Sequence, residues 1–153
     1  MIPSTAQRVP ENTATHVNDA IRRQTEENVA RTIASGPEAI SHRLSELDRE
    51  WDTERTLEMN ASLLAFTGVI LGAFVNQWFL ILPAVVTAFL FQHAVQGWCP
   101  PLPLFRRAGF RTQSEIDYER YALKALRGDF RHLQDPGSTT PADAEQALSA
   151  VMN

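Results

Sequence analysis

The 153-residue chain contains one cysteine, which excludes an intramolecular disulfide framework, a four-cysteine zinc site and a CxxC redox pair. Nor is there an excess of positive charge. The 14 Lys and Arg stand against 18 Asp and Glu, a formal net charge of −4, so the chain is no electrostatic match for a phosphate backbone and nucleic acid is excluded as a general partner. Internal repeats and long low-complexity tracts are missing. The most informative absence is local: from Met59 through Phe105, 47 consecutive positions, no Asp, Glu, Lys or Arg occurs. Such a run is expensive to place in water and inexpensive in lipid.

What fills that gap is apolar. Ala61 to Val75 has 11 of 15 residues from the hydrophobic set and Trp78 to Val95 has 14 of 18, with Asn76-Gln77 between them. This pattern predicts two helices and a tight turn. Met59 to Val75 spans roughly 25 Å and Trp78 to Gln96 roughly 28 Å, slightly short of a hydrocarbon core of about 30 Å. A soluble bundle would have to cover such a hairpin with amphipathic partners, and the flanks offer only narrow apolar stripes. No cleaved signal peptide is expected, because the apolar run starts far from the N-terminus. The expected fold is therefore all-α: a transmembrane helical hairpin at 59–98, amphipathic cytoplasmic helices at 1–58, and a C-terminal cytoplasmic region at 99–153 with a helix near 113–127 and a flexible tail.

Orientation follows from arginine placement. Arg43, Arg49 and Arg55 precede the first apolar helix and Arg106, Arg107 and Arg111 follow the second, while the Asn76-Gln77 turn is uncharged. Both termini are expected in the cytoplasm. Trp78 and Trp98, about 30 Å apart along a helix, suit interfacial anchors at the two headgroup levels.

In the flanks, residues 1–14 carry two prolines and should be irregular or tied to a partner. Val17, Ile21, Val29 and Ile33 predict a helix ending at Gly36-Pro37. A second, opened by a Ser35-Gly36-Pro37-Glu38 capping box, carries Ile40, Leu44, Leu47 and Trp51 at heptad spacing. After the apolar centre, Ile116, Leu123 and Leu126 predict one face of a helix ending at Gly128. Arg120, Lys124 and Arg127 lie on its other side, as a solvated face or a stripe against anionic lipid. Residues 136–140 read as a flexible link before a short last helix from Thr140-Pro141 carrying Leu148 and Val151.

Several residues are candidates for more than packing. Gly68 and Gly72 form a GxxxG pair, extended by Ala65, that suits either a homodimer contact or close packing of the hairpin's own second helix. Pro83 predicts a bend in that helix. Gln92, His93 and Gln96 are polar positions inside an apolar helix, where they need a hydrogen-bonding partner; Gln92 and Gln96 share a face with Cys99 and His93 lies about 100° round. Cys99 is the one candidate reactive thiol. Helix N-termini favour a thiolate, whereas Cys99 follows a helix C-terminus, a setting that suits a buried inert cysteine, unless the proline-rich exit folds Arg106 and Arg107 back beneath the helix. No metal site, cofactor or catalytic set is expected, since the chain does not supply the ligands without oligomerising.

The hairpin with its Gly97-Trp98-Cys99-Pro100 exit, followed by Leu104-Phe105-Arg106-Arg107-Ala108-Gly109, resembles the YgaP-like inner-membrane domain family over about residues 52–110. The resemblance implies a bacterial inner-membrane location, the hairpin topology, a dimer, and Cys99 as a position of interest. It does not carry over sulfurtransferase activity, because residues 1–58 contain no cysteine to act as a rhodanese nucleophile. The expected role is non-enzymatic: a membrane-anchored interaction or scaffold module that homodimerises and engages a soluble or membrane protein through its N-terminal helices. The alternative is sulfur handling at Cys99, as a persulfide carrier or in transport of a small sulfur anion.

Overall fold

A computed structural model describes residues 4–131 and 141–152. The described chain is helical throughout and contains no strand. Its elements are α1 (Arg8–Glu11), α2 (Thr15–Ala34), α3 (Pro37–Leu47), α4 (Thr53–Phe74), a 3-10 turn (Gln77–Leu80), α5 (Ile81–Gln96), α6 (Leu102–Arg107), α7 (Gln113–Arg127) and α8 (Pro141–Met152). They fall into two compact units that are discontinuous in sequence. One comprises residues up to Arg22 together with Trp51–Ser114, and the other Arg23–Glu50 with Glu115 onward. The linear division at 58 and 98 is thus not the division of the folded chain, because α1 and α6 pack with the hairpin while α3 and α7 share another core.

In the first unit, α4 begins where the Asp52 side chain accepts a hydrogen bond from the Arg55 amide at 2.7 Å, satisfying one of the orphan donors of a helix start. Its 22 residues reach roughly 33 Å. At the far end, the Asn76 side chain accepts from the Trp78 amide at 3.0 Å and nucleates the 3-10 turn. Pro83 falls in the first turn of α5, where a missing amide is harmless. The arms approach closely at two glycines. A Cβ on Gly68 would lie 2.5 Å from Pro83 Cδ, and one on Gly72 2.5 Å from Leu80 Cδ2. Both face the hairpin's own second arm, the packing alternative of the two considered for them; Ala65 is half-buried.

The same hairpin is bare on its outside. Both α4 and Gln77–Gln96 are long and apolar enough to cross a membrane, and only 11% and 6% of their most apolar windows are buried. Phe66, Phe74, Val75, Trp78 and Phe91 are each more than 60% exposed.

At the other end of the arms the first unit has a core of Val9, Leu57, Cys99 and Leu102, with Phe105 against it. Within residues 4–14 the helical part is Arg8–Glu11, whose Val9 enters this core, and the rest are turns and bends. Thr53 binds the chain after α6, its amide donating to the Arg111 carbonyl at 2.8 Å and its hydroxyl to the same oxygen at 3.0 Å. Arg106 is 1% exposed and donates to Thr13 Oγ1, the Phe110 carbonyl and Asn18 Oδ1 at 3.2, 3.0 and 2.9 Å. Its guanidinium has become an internal clamp, a use for which its planar fork is suited.

The second unit is held by Ile40, Leu44 and Leu47 of α3 against Ile116 and Leu123 of α7, with Val29 beside them. Three expectations change here. The helix stops at Leu47, so Trp51 leaves the stripe and instead lies under the Arg55 guanidinium at 4.3 Å. Leu126 is exposed and does not share the face of Ile116 and Leu123. The Ser35 hydroxyl bonds back to the Arg31 carbonyl, leaving Gly36 as the N-cap of α3 without a side-chain cap. Residues 141–152 form α8, so the tail is helical there, while the link expected at 136–140 lies outside the described residues. Leu148 and Val151 of that helix are exposed and Ala150 is buried.

The charges of α7 are paired within this unit. Glu119, fully buried, accepts from Arg43 Nε at 2.7 Å, and this contact is the largest cause of an Arg43 pKa raised above its ordinary value. Arg120 binds Asp117 and Asp48, and Arg127 binds Asp129. Lys124 is buried and donates to the Val151 carbonyl. The lysine and both arginines are thus engaged internally, which leaves no continuous basic stripe.

Two predictions follow from this packing. Gly68→Leu forces the arms apart at Pro83 and is expected to lower the thermal midpoint in detergent through overpacking of about 1–3 kcal/mol. Burial lowers the Lys124 pKa, so the unfolded state binds more protons between the depressed folded value and the ordinary lysine value of about 10.4. Stability gains a rising component with pH across that window. Lys124→Met should remove the component, measured as a flatter difference in denaturation midpoint between neutral and alkaline buffer.

Candidate functional site

The first unit gathers four side chains from distant parts of the sequence at the base of the hairpin. Arg8 comes from α1, Glu54 from the first turn of α4, His93 from the last turn of α5, and Cys99 from the loop beyond. Glu54 is central. Its Oε1 accepts from Arg8 Nη2 at 2.9 Å, and its Oε2 accepts from His93 Nε2, also at 2.9 Å. Because an ionised carboxylate only accepts, the proton of this last bond belongs to Nε2. The other ring nitrogen, Nδ1, is fully shielded and makes no hydrogen bond, and the whole His93 residue is 2% exposed. Beside the ring lies the Cys99 thiol, the other side chain that interacts with the imidazole.

The backbone explains how a thiol three residues past a helix meets a histidine inside it. α5 ends at Gly97, which takes φ 76° and donates its amide to the His93 carbonyl at 2.7 Å. This left-handed cap reverses the chain, as glycine does most readily. Gly97 is also hemmed in by the Arg8 carbonyl, which a Cβ would strike. Asn12 reinforces the junction by donating to the Gln96 carbonyl at 2.8 Å.

The candidate polar positions thus separate. His93 finds the hydrogen-bonding partner that its depth demands, whereas Gln92 and Gln96 bond weakly to each other at 3.4 Å on the outer side. Cys99 does not continue their face: the reversal at Gly97 moves it to His93 and buries it to 4% exposure. Arg106, engaged with Thr13, Asn18 and Phe110, is a structural clamp. Trp78 is exposed at the turn end and Trp98 half-buried at the base.

Cys99 also lines a cavity of about 280 Å³ between the two arms, bounded by Leu57, Leu64, Val86, Phe89, Leu90 and Phe105. Asn60, the one other polar side chain of its wall, donates its amide to the Thr56 carbonyl of its own helix at 2.8 Å. The wall is therefore apolar apart from Cys99 and Asn60.

Sequence reasoning missed Glu54 and Arg8. Glu54 carried a usable signal: in a hairpin of two equal arms, the residue before the first arm and the one ending the second meet at the same end. Arg8 had none, since it lies in a proline-interrupted segment with little apolar content. Chemically, the set joins a guanidinium, a carboxylate and an imidazole into one hydrogen-bonded chain at the base of the hairpin. No protein-family model, curated protein or solved structure matches this chain.

Glu54→Ala should leave both Arg8 and His93 without their acceptor. With charge-assisted hydrogen bonds contributing about 1.5–3 kcal/mol, and Glu54 partly open to solvent, a loss of about 2 kcal/mol is expected in denaturant titrations of the detergent-solubilised protein.

Proposed function

We propose that the chain is a membrane-anchored helical module, with α4 and the helix from Gln77 to Gln96 solvated by lipid. The carrying observation is how little of either helix is covered. A core helix of a soluble protein is mostly buried, whereas here about nine-tenths of each apolar window is not. Burying one large apolar side chain stabilises by about 1.5–3 kcal/mol. Leaving Phe66, Phe74, Trp78 and Phe91 together in water forgoes that gain repeatedly, in a patch larger than soluble monomers ordinarily present.

On this reading the uncharged Asn76–Gln77 turn is the translocated end. The exposed Arg49, Arg55 and Arg107 remain with both termini on the cytoplasmic side of a bacterial inner membrane. The likeness of residues 52–110 to YgaP-like domains supports the same topology. The role is that of a non-enzymatic interaction or scaffold module, whose helices outside the bilayer engage a soluble or membrane protein. Self-association belongs to the proposal as well. Gly68 and Gly72 are occupied by the second arm of the same chain, so a second copy uses other apolar faces.

Sulfur handling at Cys99 is the second reading, and the contact with His93 favours it. The lining of the adjoining cavity does not, because it offers no cation to hold a small sulfur anion.

The expected outcome of fractionation is a chain that stays with membranes through alkaline carbonate washing and is released by detergent. A polypeptide that remains dispersed in amphiphile-free buffer after high-speed centrifugation overturns the proposal.

A further inference from the structure

The arms of the hairpin approach closely where Gly68 meets Pro83 and Gly72 meets Leu80, and they part toward the base. The space between them there is the cavity of about 280 Å³, with Ala61 and Leu64 on one wall, Val86 and Leu90 on the other, and Phe105 of α6 in its lining. It is closed inside and open outside. Leu57 and Cys99 of the lining are each 4% exposed, whereas Leu64 and Phe89 are 49% and 38% exposed, so the groove runs out onto the bare apolar surface of the hairpin. Its volume holds about nine heavy atoms at roughly 30 Å³ each, the share of a water molecule in the liquid. Close-packed proteins do not leave apolar gaps of this size unfilled, and water is a poor filler where the polar groups of the lining are one amide and one thiol. A hydrocarbon chain loses nothing by entering it.

Charge at the same end of the groove identifies the rest of the ligand. Exposed Arg55 stands two positions before Leu57 of the lining, and exposed Arg107 two positions after Phe105. Neither guanidinium meets a carboxylate among the described residues, and Arg55 rests on the Trp51 ring at 4.3 Å. Uncommitted cations at the base end of an apolar groove complement a phosphate that ends a hydrocarbon chain. We propose that the groove between α4 and α5 binds one acyl chain of a phospholipid from the surrounding bilayer, with the lipid phosphate at the base of the hairpin, at the level of Arg55 and Arg107. The inference rests on the membrane reading above and gives that surface one specific lipid in place of a general solvent. From Leu57 to Leu64 the wall rises about 10 Å, so the groove takes the part of the chain nearest the head group and leaves the rest in the bilayer.

The test reconstitutes the full chain in vesicles of phosphatidylethanolamine and phosphatidylglycerol, extracts it in maltoside detergent, washes away loose lipid and weighs the intact complex by native mass spectrometry. One phospholipid per chain is expected. Val86→Trp fills the groove and should lower the retained fraction at least about tenfold, the effect of a few methylene groups losing their burial. Phe66→Trp, on the exposed outside, should leave it unchanged. The double variant Arg55→Gln, Arg107→Gln should bring retention of phospholipid down to that of diacylglycerol with the same chains. Because Val86→Trp can also disturb the hairpin, a second measurement uses the unaltered protein: a phospholipid with a diazirine on its acyl chain, photolysed in the same vesicles, should attach to Ala61, Leu64, Val86 and Leu90 in preference to Phe66 and Phe91. A lipid-free wild-type chain overturns the proposal. So does retention that survives Val86→Trp or is lost equally in Phe66→Trp, a fatty acid or detergent molecule in place of the phospholipid, equal retention of diacylglycerol by the wild type, or photolabelling spread evenly over the hairpin. A chain stripped from membranes by carbonate overturns the membrane reading and this inference with it, whereas a membrane-retained chain that emerges without lipid overturns this inference alone.

Discussion

An apolar hairpin has no means of fixing its own open end. Dispersion and close approach hold the arms along their length, through Gly68 against Pro83 and Gly72 against Leu80, but these contacts are non-directional in chemistry and end where the arms do. At the base, one carboxylate supplies direction. Glu54 joins the start of α4 to the end of α5 through His93 and to the N-terminal segment through Arg8. The left-handed turn at Gly97 against the Arg8 carbonyl and the buried Cys99 lie at this same end.

The same constraint accounts for how the flanking segments are used. The stretch after the hairpin does not simply leave. It returns through α6 and inserts Arg106 among Thr13, Asn18 and Phe110, while Thr53 receives the chain at Arg111. An arginine counted as a surface cation near a membrane end is thus spent inside the protein. The arginines that remain exposed are fewer than the raw number suggests. Positive charge near the ends of the apolar run therefore divides into buried clamps and exposed side chains.

Reading the units separately also clarifies why amphipathic patterns were only partly legible. Ile40, Leu44 and Leu47 form a core with Ile116 and Leu123, as their spacing suggested. Trp51 and Leu126 satisfied the same periodicity and are outside it. Periodicity reports which residues share a helical face if the helix continues; it does not report where the helix stops or whether a partner covers that position. The helix of Trp51 ends four residues earlier, at Leu47, and the face bearing Leu126 is uncovered. Likewise the basic residues of α7 looked like a stripe, but Asp48, Asp117, Asp129 and the carbonyl of Val151 neutralise or engage them one by one.

Composition alone determined that the chain is helical, that its uncharged third forms two apolar arms around Asn76-Gln77, and that His93 needs a partner. These follow from local properties: transfer free energy, helical period and the cost of an unpaired polar group in apolar surroundings. Tertiary structure alone decided which partner His93 has, that Cys99 lies beside it and not along the face of Gln92 and Gln96, and that the two glycines meet their own second arm. Those outcomes depend on a reversal at one glycine and on residues 39 and 46 positions apart reaching the same end of a hairpin. No window of sequence contains them, because long-range proximity is a property of chain path and not of residue order.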